Sequence, residues 1–139
     1  MMIDGHFNFA DQQAISGTSD TVSTNVYDAG SAKKLFGGAN RKARLAIQVT
    51  AAGGTSPTFQ AKLVGADNAA LTTNPVVIAD TGITGTIAAA DLPLLFELVP
   101  GLQTEDKRYY GVIFDQGGTS PTATVNAQIS MEPHSALLR

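Results

Sequence analysis

Apolar and polar residues alternate along much of this chain with a period of two. The alternation is clearest in four runs, at residues 44–50, 58–63, 110–115 and 123–130. A β-strand with one buried face has this period, because successive side chains point to opposite sides of the sheet. The pattern therefore predicts an all-β protein.

The same six residues separate the runs of each pair. Gly-Gly-Thr-Ser-Pro-Thr occupies 53–58 and recurs at 117–122. Glycine tolerates positive φ and proline restricts φ, so the motif is typical of a turn. We predict two β-hairpins with longer loops that belong to one sheet system. The repeat has two interpretations: it is the trace of an internal duplication, or the same turn-forming sequence occurs twice independently.

Four weaker runs complete the pattern, at residues 21–28, 75–79, 83–88 and 94–99. The run at 94–99 is apolar apart from Glu97, and we predict from it a strand buried on both faces. Short helical turns are expected near 31–35 and 88–92. About eight short strands with minimal helix predict an antiparallel two-sheet sandwich, and a jelly roll is the favoured form. Strands do not alternate with helices, which argues against a parallel α/β sheet.

The length and composition are those of one small domain. The chain has 139 residues, no cysteine and 15% charged residues, against about 25% charged in an average soluble domain. Few residues favour surface helices, so a helical bundle is excluded. We expect a single β-sandwich over 1–139, with an N-terminal arm at 1–16 and a C-terminal tail at 132–139.

The chemistry expected of an enzyme is not recognisable. The histidines, His6 and His134, stand near opposite ends of the chain, and a stable metal site needs three or four ligands. No nucleophile elbow or phosphate-binding loop occurs. We therefore expect no catalytic residues, no cofactor and no metal. The net charge of −3 argues against a nucleic-acid partner, and the apolar runs are too short to span a membrane.

The charge is unevenly distributed. Residues 29–66 contain six cations and no acid. Lys33, Lys34, Arg41 and Lys42 surround a glycine-rich loop that carries Phe36. One interpretation is a solvated loop. The other is a partner-interface patch for an acidic surface, with Phe36 as its apolar anchor.

Both ends of the chain are apolar. Phe7 and Phe9 occur in the predicted arm, and Leu137 and Leu138 occur in the tail. Apolar side chains at a terminus need a surface to cover them. They pack either on their own sandwich or on another copy or another protein, and in the second case they are partner-interface residues.

The N-terminal residues also carry a resemblance. The stretch Phe-Asn-Phe-Ala-Asp-Gln-Gln-Ala-Ile at 7–15, followed by Ser-Thr-Asn-Val-Tyr-Asp-Ala-Gly at 23–30, resembles the start of small capsid cement (decoration) proteins of tailed bacteriophages. The motif covers only the beginning of the chain, and the rest is similar in length, composition and pattern.

This resemblance implies a jelly-roll structural protein of the virion, made in the host cytoplasm and located on the outer surface of an icosahedral capsid. Its partners would be the shell of major capsid protein and a second copy of itself, as a homodimer or a trimer. It would cement neighbouring capsid subunits against the pressure of the packed genome. The alternative function is a non-catalytic β-sandwich binding module for carbohydrate or a receptor.

Overall fold

The computed structural model describes residues 6–35, 42–101 and 103–132, and this part of the chain is almost entirely β-structure. The strands are β1 (His6–Ser16), β2 (Thr21–Val22), β3 (Tyr27–Lys33), β4 (Lys42–Ala66), β5 (Val76–Asp80), β6 (Leu94–Leu98) and β7 (Lys107–Glu132), with one 3-10 helix at Ala89–Asp91. The all-β prediction is confirmed. None of the described helical segments is both long and apolar enough to cross a bilayer.

Two very long strands form the centre of the sheet. β4 has 25 residues and β7 has 26, and they pair antiparallel from Lys42 opposite Glu132 to Ala66 opposite Tyr109. The two predicted hairpins are therefore wrong, because each repeated motif lies inside a long strand. The prediction of one sheet system is confirmed.

The two copies of the repeated motif pair with each other. Gly53 lies opposite Thr122, and Thr58 lies opposite Gly117. A hairpin would pair the two ends of one motif, whereas here each end pairs with the other copy. The repeat therefore marks a crossing point between the two long strands.

Positive-φ residues bend both strands at this crossing. Gly54 and Ser56 have φ of 97° and 50°, and Gly118 and Ser120 have φ of 107° and 48°. The register between β4 and β7 also shifts here, and such bulges bend a strand and increase its twist. The motif therefore turns each strand out of its plane without reversing its direction.

The bend divides one sheet into two layers. We call residues 42–52 and 58–66 of β4 segments β4a and β4b, and residues 107–117 and 122–132 of β7 segments β7a and β7b. One layer has the order β1, β7b, β4a, β6, and the other has the order β2 with β3, β7a, β4b, β5. Counted along the chain with β2 and β3 as one strand, these orders are 1-8-3-6 and 2-7-4-5. This is the double-sheet arrangement of a jelly roll.

The core lies between the two layers. Leu45 and Ile47 from β4a and Leu63 from β4b are completely buried. Phe59 of β4b stacks on Phe96 of β6, in the other layer, with ring centroids 6.1 Å apart. Each buried side chain of this size contributes about 1.5–3 kcal/mol relative to an exposed one. Packing between the layers therefore holds the bent sheet closed.

A second, smaller cluster lies apart from the main core. Val64, Ala66 and Leu71 are buried there, and Val22 and Val26 pack against them. Leu71 belongs to the loop between β4 and β5, and Val26 lies between β2 and β3. These two loops thereby cover apolar side chains that β4b would otherwise expose.

The predicted N-terminal arm is an edge strand from residue 6 onward. β1 pairs with β7b from His6 opposite Ser130 to Ser16 opposite Thr122. Two register shifts interrupt this pairing, and Gln12 has a φ of 51°. These irregularities break the period-two pattern, which is why the pattern predicts an arm and not a strand here. Residues 1–5 and 133–139 lie outside the described part.

Two of the weaker strand predictions are partly or wholly wrong. Residues 21–28 are not one strand: β2 ends at Val22 and β3 begins at Tyr27. In the gap between them, the Ser23 hydroxyl accepts a hydrogen bond from the N–H of Val112 at 3.1 Å. Residues 83–88 form no strand. Instead, the hydroxyl of Thr84 accepts a hydrogen bond from the N–H of Phe59. Threonine hydroxyls and backbone N–H groups of this irregular segment thus satisfy the edge of β4b together.

Of the remaining predictions, three are confirmed and two are wrong. The strands at 75–79 and 94–99 are confirmed as β5 and β6, and the helical turn near 88–92 is confirmed by the 3-10 helix. The helical turn at 31–35 is wrong, because β3 continues to Lys33. Burial of β6 on both faces is also wrong, since Leu95 is 65% exposed. Leu95 points away from the core, so the outer face of β6 meets solvent.

The close approach at the crossing predicts that Gly54→Ala and Gly118→Ala destabilise the fold to a similar extent. A Cβ at Gly54 would lie 2.6 Å from the carbonyl oxygen of Ser120, and one at Gly118 would lie 2.7 Å from that of Ser56. Together with the positive φ, this clash costs on the order of 2–3 kcal/mol in each variant. Urea unfolding measures the loss.

Gly85→Ala is the control for this pair. Its added Cβ would have no neighbour within 4 Å, so we expect less than about 0.5 kcal/mol of change. Crossing variants as stable as this control would contradict the role assigned to the two glycines.

Candidate functional site

The structure describes some of the predicted partner-interface residues and not others. Lys33 is the last residue of β3, and Lys34 follows it directly. Both side chains are exposed. Phe7 and Lys42 lie on β1 and β4, but the surroundings of their side chains are not described. The others lie outside the described residues, namely Phe36, Arg41, Leu137 and Leu138.

Phe9 belongs to the core of its own chain. Its side chain is 2% exposed and lies in the main hydrophobic cluster. The prediction that Phe9 contacts a partner is therefore wrong. Pairing of β1 with β7b turns this ring toward the space between the layers.

Buried polar groups fix the backbone where β3 ends. The carbonyl of Lys33 accepts a hydrogen bond from the Tyr110 hydroxyl at 2.5 Å. The Gln103 amide nitrogen shares its two hydrogens among three acceptors, which are the Tyr110 hydroxyl at 2.6 Å, the carbonyl of Glu105 at 2.6 Å and the carbonyl of Lys33 at 3.1 Å. Gln103 is 4% exposed, so a buried network holds the start of the basic segment in place.

Acidic side chains from two loops approach this segment in space. Lys34 forms an ion pair with Asp106 at 2.9 Å. The buried ammonium of Lys107 lies 3.5 Å from Asp67 and 3.4 Å from Glu105. These five side chains line an open groove of about 700 Å³. Residues 29–66 contain no acid in sequence, but the fold brings three carboxylates close to Lys34. The surface around Lys34 therefore carries charges of both signs.

Lys33 takes no part in that ion-pair network. It is exposed and forms no ion pair with any of the residues in 6–35, 42–101 and 103–132. Exposed charge of this kind is available to an acidic partner. Among the predicted basic residues with described side chains, Lys33 is thus the best placed for contact.

A fourth ion pair links β3 to β7a nearby. The Arg108 guanidinium donates to both carboxylate oxygens of Asp28, at 2.7 and 3.0 Å. This bidentate bond, together with a hydrogen bond from the N–H of Gly30, lowers the pKa of Asp28. Arg108 also lies 5.1 Å above the ring of Tyr109. The pair links the start of β3 to β7a at the surface.

A shallow groove of about 350 Å³ crosses the outside of the other layer. Amide side chains line much of it, and Asn126 links two of its parts by accepting from the N–H of Gln12 at 2.6 Å and donating to Gln48 at 3.3 Å. No aromatic residue is among those that line it. It therefore lacks the ring on which sugars commonly stack.

Within the described part of the chain, no group of three or more His, Cys, Asp or Glu side chains is arranged to hold a metal ion. The polar side-chain atoms buried there all have hydrogen-bond partners. The buried polar groups that matter most, Gln103 and Lys107, were missed by sequence reasoning. Gln103 stands in a loop with no periodic pattern, and one partner of Lys107 is Asp67, which directly follows the distant end of β4.

Comparison with known proteins identifies a family. A family model described as Bbp16 matches residues 9–129, from β1 almost to the end of β7. The family name suggests a phage-related protein and does not itself describe a cement role. No curated protein matches the chain.

The network around the Lys33 carbonyl predicts that Gln103→Leu destabilises the fold by about 1–3 kcal/mol. The change takes the Gln103 donor away from the carbonyls of Glu105 and Lys33 and from the Tyr110 hydroxyl, and the Lys33 carbonyl keeps only the Tyr110 donor. Loss of these partly buried hydrogen bonds costs free energy of desolvation. Chemical denaturation measures the loss. Gln128→Leu is the matched control at an exposed position, and we expect it to change stability by less than about 0.5 kcal/mol. Equal effects in the two variants would contradict the anchoring role.

Proposed function

Because this chain belongs to the Bbp16 family over residues 9–129, we propose that it is a structural virion protein that cements the outer surface of an icosahedral capsid. It would bind neighbouring major capsid subunits and resist their separation by the packed genome. The proposal joins a family name that suggests a phage protein with the likeness of residues 7–15 and 23–30 to capsid cement proteins.

The observation that carries the proposal is the continuity of the two long strands. β4 and β7 pass through both layers and pair with each other along almost their whole length. A load applied along these strands is opposed by many hydrogen bonds at once, because they must shear together. A jelly roll built this way suits a protein that works under tension.

Modest contacts would suffice to hold such a protein on a shell. Each molecule that touches two subunits binds the second at a high effective concentration. Self-association, as a homodimer or a trimer, would multiply the contacts further. The exposed Lys33 and its neighbour Lys34 are the contacts we propose for an acidic part of the shell.

The first test is binding to shells. We expect the chain, co-expressed with the major capsid protein encoded beside it, to move with shells in a density gradient at a fixed stoichiometry. We also expect shells that carry it to break at a higher temperature than bare shells, since it bridges subunits. A chain that stays at the top of the gradient contradicts the proposal, and a glycan-binding screen then becomes the relevant experiment.

Neutralising the basic end of β3 tests the contact itself. We expect Lys33→Gln with Lys34→Gln to bind shells several-fold more weakly at low salt, and the difference to shrink as added salt shortens the screening length. Co-sedimentation at two ionic strengths measures this. Asn8→Asp with Gln128→Glu, at exposed positions, changes the net charge by the same amount elsewhere. If this control loses as much binding, net charge and not the basic end is responsible.

A further inference from the structure

One side of the sandwich is built from consecutive segments between β4 and β7. β5 pairs with β4b, and β6 pairs with β4a, each along the edge of β4 that faces away from β7. Residues 81–87 run beside β4b, where the N–H of Thr84 donates to the carbonyl of Phe59. The N–H of Gly101 donates to the carbonyl of Ile78 at 2.8 Å, which ties the chain after β6 back to β5. We call this surface the β5–β6 side.

The large apolar side chains that the described chain exposes all come from the β5–β6 side, but they do not form one face. They are Val77 at 56%, Ile83 at 72%, Leu95 at 65% and Val99 at 67% exposed. Val77 pairs with Val64 of the second cluster, outside the β4b layer, whereas Leu95 borders the groove outside the β4a layer. Leu95 and Val99 are four residues apart on an extended segment and therefore share one face. These two exposed side chains are the apolar part of a candidate contact surface.

The charges that the β5–β6 side itself carries are negative, and two cations of β4 border it, Lys62 and the exposed Arg44, which directly precedes the Leu45–Leu98 pair. Between Lys62 and Lys107 the chain contains six acids and no cation. Asp80, Asp91 and Glu97 from this stretch belong to the β5–β6 side and are exposed. Lys62 pairs in register with Asp80 at the border with β4b. The apolar side chains are therefore accompanied by carboxylates.

The outer edge of β6 is unpaired among the described strands, but it is short. β6 has five residues, and Pro93 and Pro100 stand close to its two ends. Short edges flanked by proline resist continued strand pairing. The side chains of the β5–β6 side, and not its backbone, are thus the groups that a partner would contact.

The acidic charge indicates what kind of partner fits. Two copies that met through this same side would bring Asp80, Asp91 and Glu97 close to their counterparts, and such like charges repel. A surface with an apolar centre and lysine or arginine around it would complement both features. We propose that the β5–β6 side docks on such a cationic surface of the shell subunit, an inference that rests on the proposed function.

The principal test places positive charge in the apolar part. We expect Leu95→Lys with Val99→Lys to lower shell binding at least ten-fold, because it removes apolar contact and adds repulsion. Ser19→Lys with Thr24→Lys is the matched control. Both of its positions are exposed and adjoin β1, β2 and β3, and it should bind shells like the parent chain.

A second variant separates charge from folding effects. Glu97→Gln keeps the shape of an exposed side chain and removes one carboxylate. We expect shell binding several-fold weaker at low salt and equal to the parent at high salt. Thermal unfolding of every variant shows that it is folded. If the lysine pair fails to fold, Leu95→Gln with Val99→Thr takes its place, with a smaller loss expected.

The outcomes distinguish the two proposals. If the parent binds shells and the folded Leu95 and Val99 variants bind equally well, the docking inference is overturned and the cement function stands. If these variants instead change the mass of the free protein in light scattering and leave shell binding intact, the β5–β6 side contacts a second copy, which also overturns it. If the parent itself does not bind, the proposed function and this inference fail together.

Discussion

The close backbone approach at the crossing of β4 and β7 is the constraint on which the rest of the structure depends. Gly54 faces the carbonyls of Thr119 and Ser120, and Gly118 faces those of Thr55 and Ser56. Side chains at either glycine would push the strands apart. Because both strands bend at one place, the two layers close on each other without losing the ladder between them. The contact of Phe59 with Phe96 across the layers follows from that closure.

The pairing of β4 with β7 also determines on which side of the sandwich each of the other strands lies. β1, β2 and β3 all add to β7, whereas β5 and β6 add to β4. The chain therefore contributes its N-terminal strands to one side of the sandwich and its middle strands to the other. Lys33 ends β3, which adds to β7 in one layer, and Leu95 lies on β6, which adds to β4 in the other layer.

Sequence reasoning found most strands and missed how they pair. The period of two reports local burial, so it located β4, β5, β6 and β7. Glycine and proline in the repeat indicate which backbone φ angles the segment can adopt. They do not indicate whether the bent segment pairs with itself, as in a hairpin, or with the distant copy of the repeat, because that depends on the tertiary fold. The ion pair between Lys34 and Asp106 was out of reach for the same reason, since one partner follows β3 and the other precedes β7. The bulges in β1 interrupt its alternation of apolar and polar residues, so the pattern does not predict this strand or the place of its Phe9 in the core.

The placement of the two proposed contact surfaces bears on how a single domain could join capsid subunits. A protein with one contact surface adds mass to a shell, but it bridges subunits only if that surface lies across a boundary. Here the exposed Lys33 ends a strand that adds to β7, whereas β6 adds to β4. The chain that leaves β6 returns to β3, where the Gln103 amide donates to the carbonyl of Lys33. Tension between two subunits held at these places would pass in part through the β4–β7 ladder, which is the most extensively paired part of the molecule. The two surfaces also differ in charge sign, so each would select its own complement on the shell and fix the orientation of the bridge.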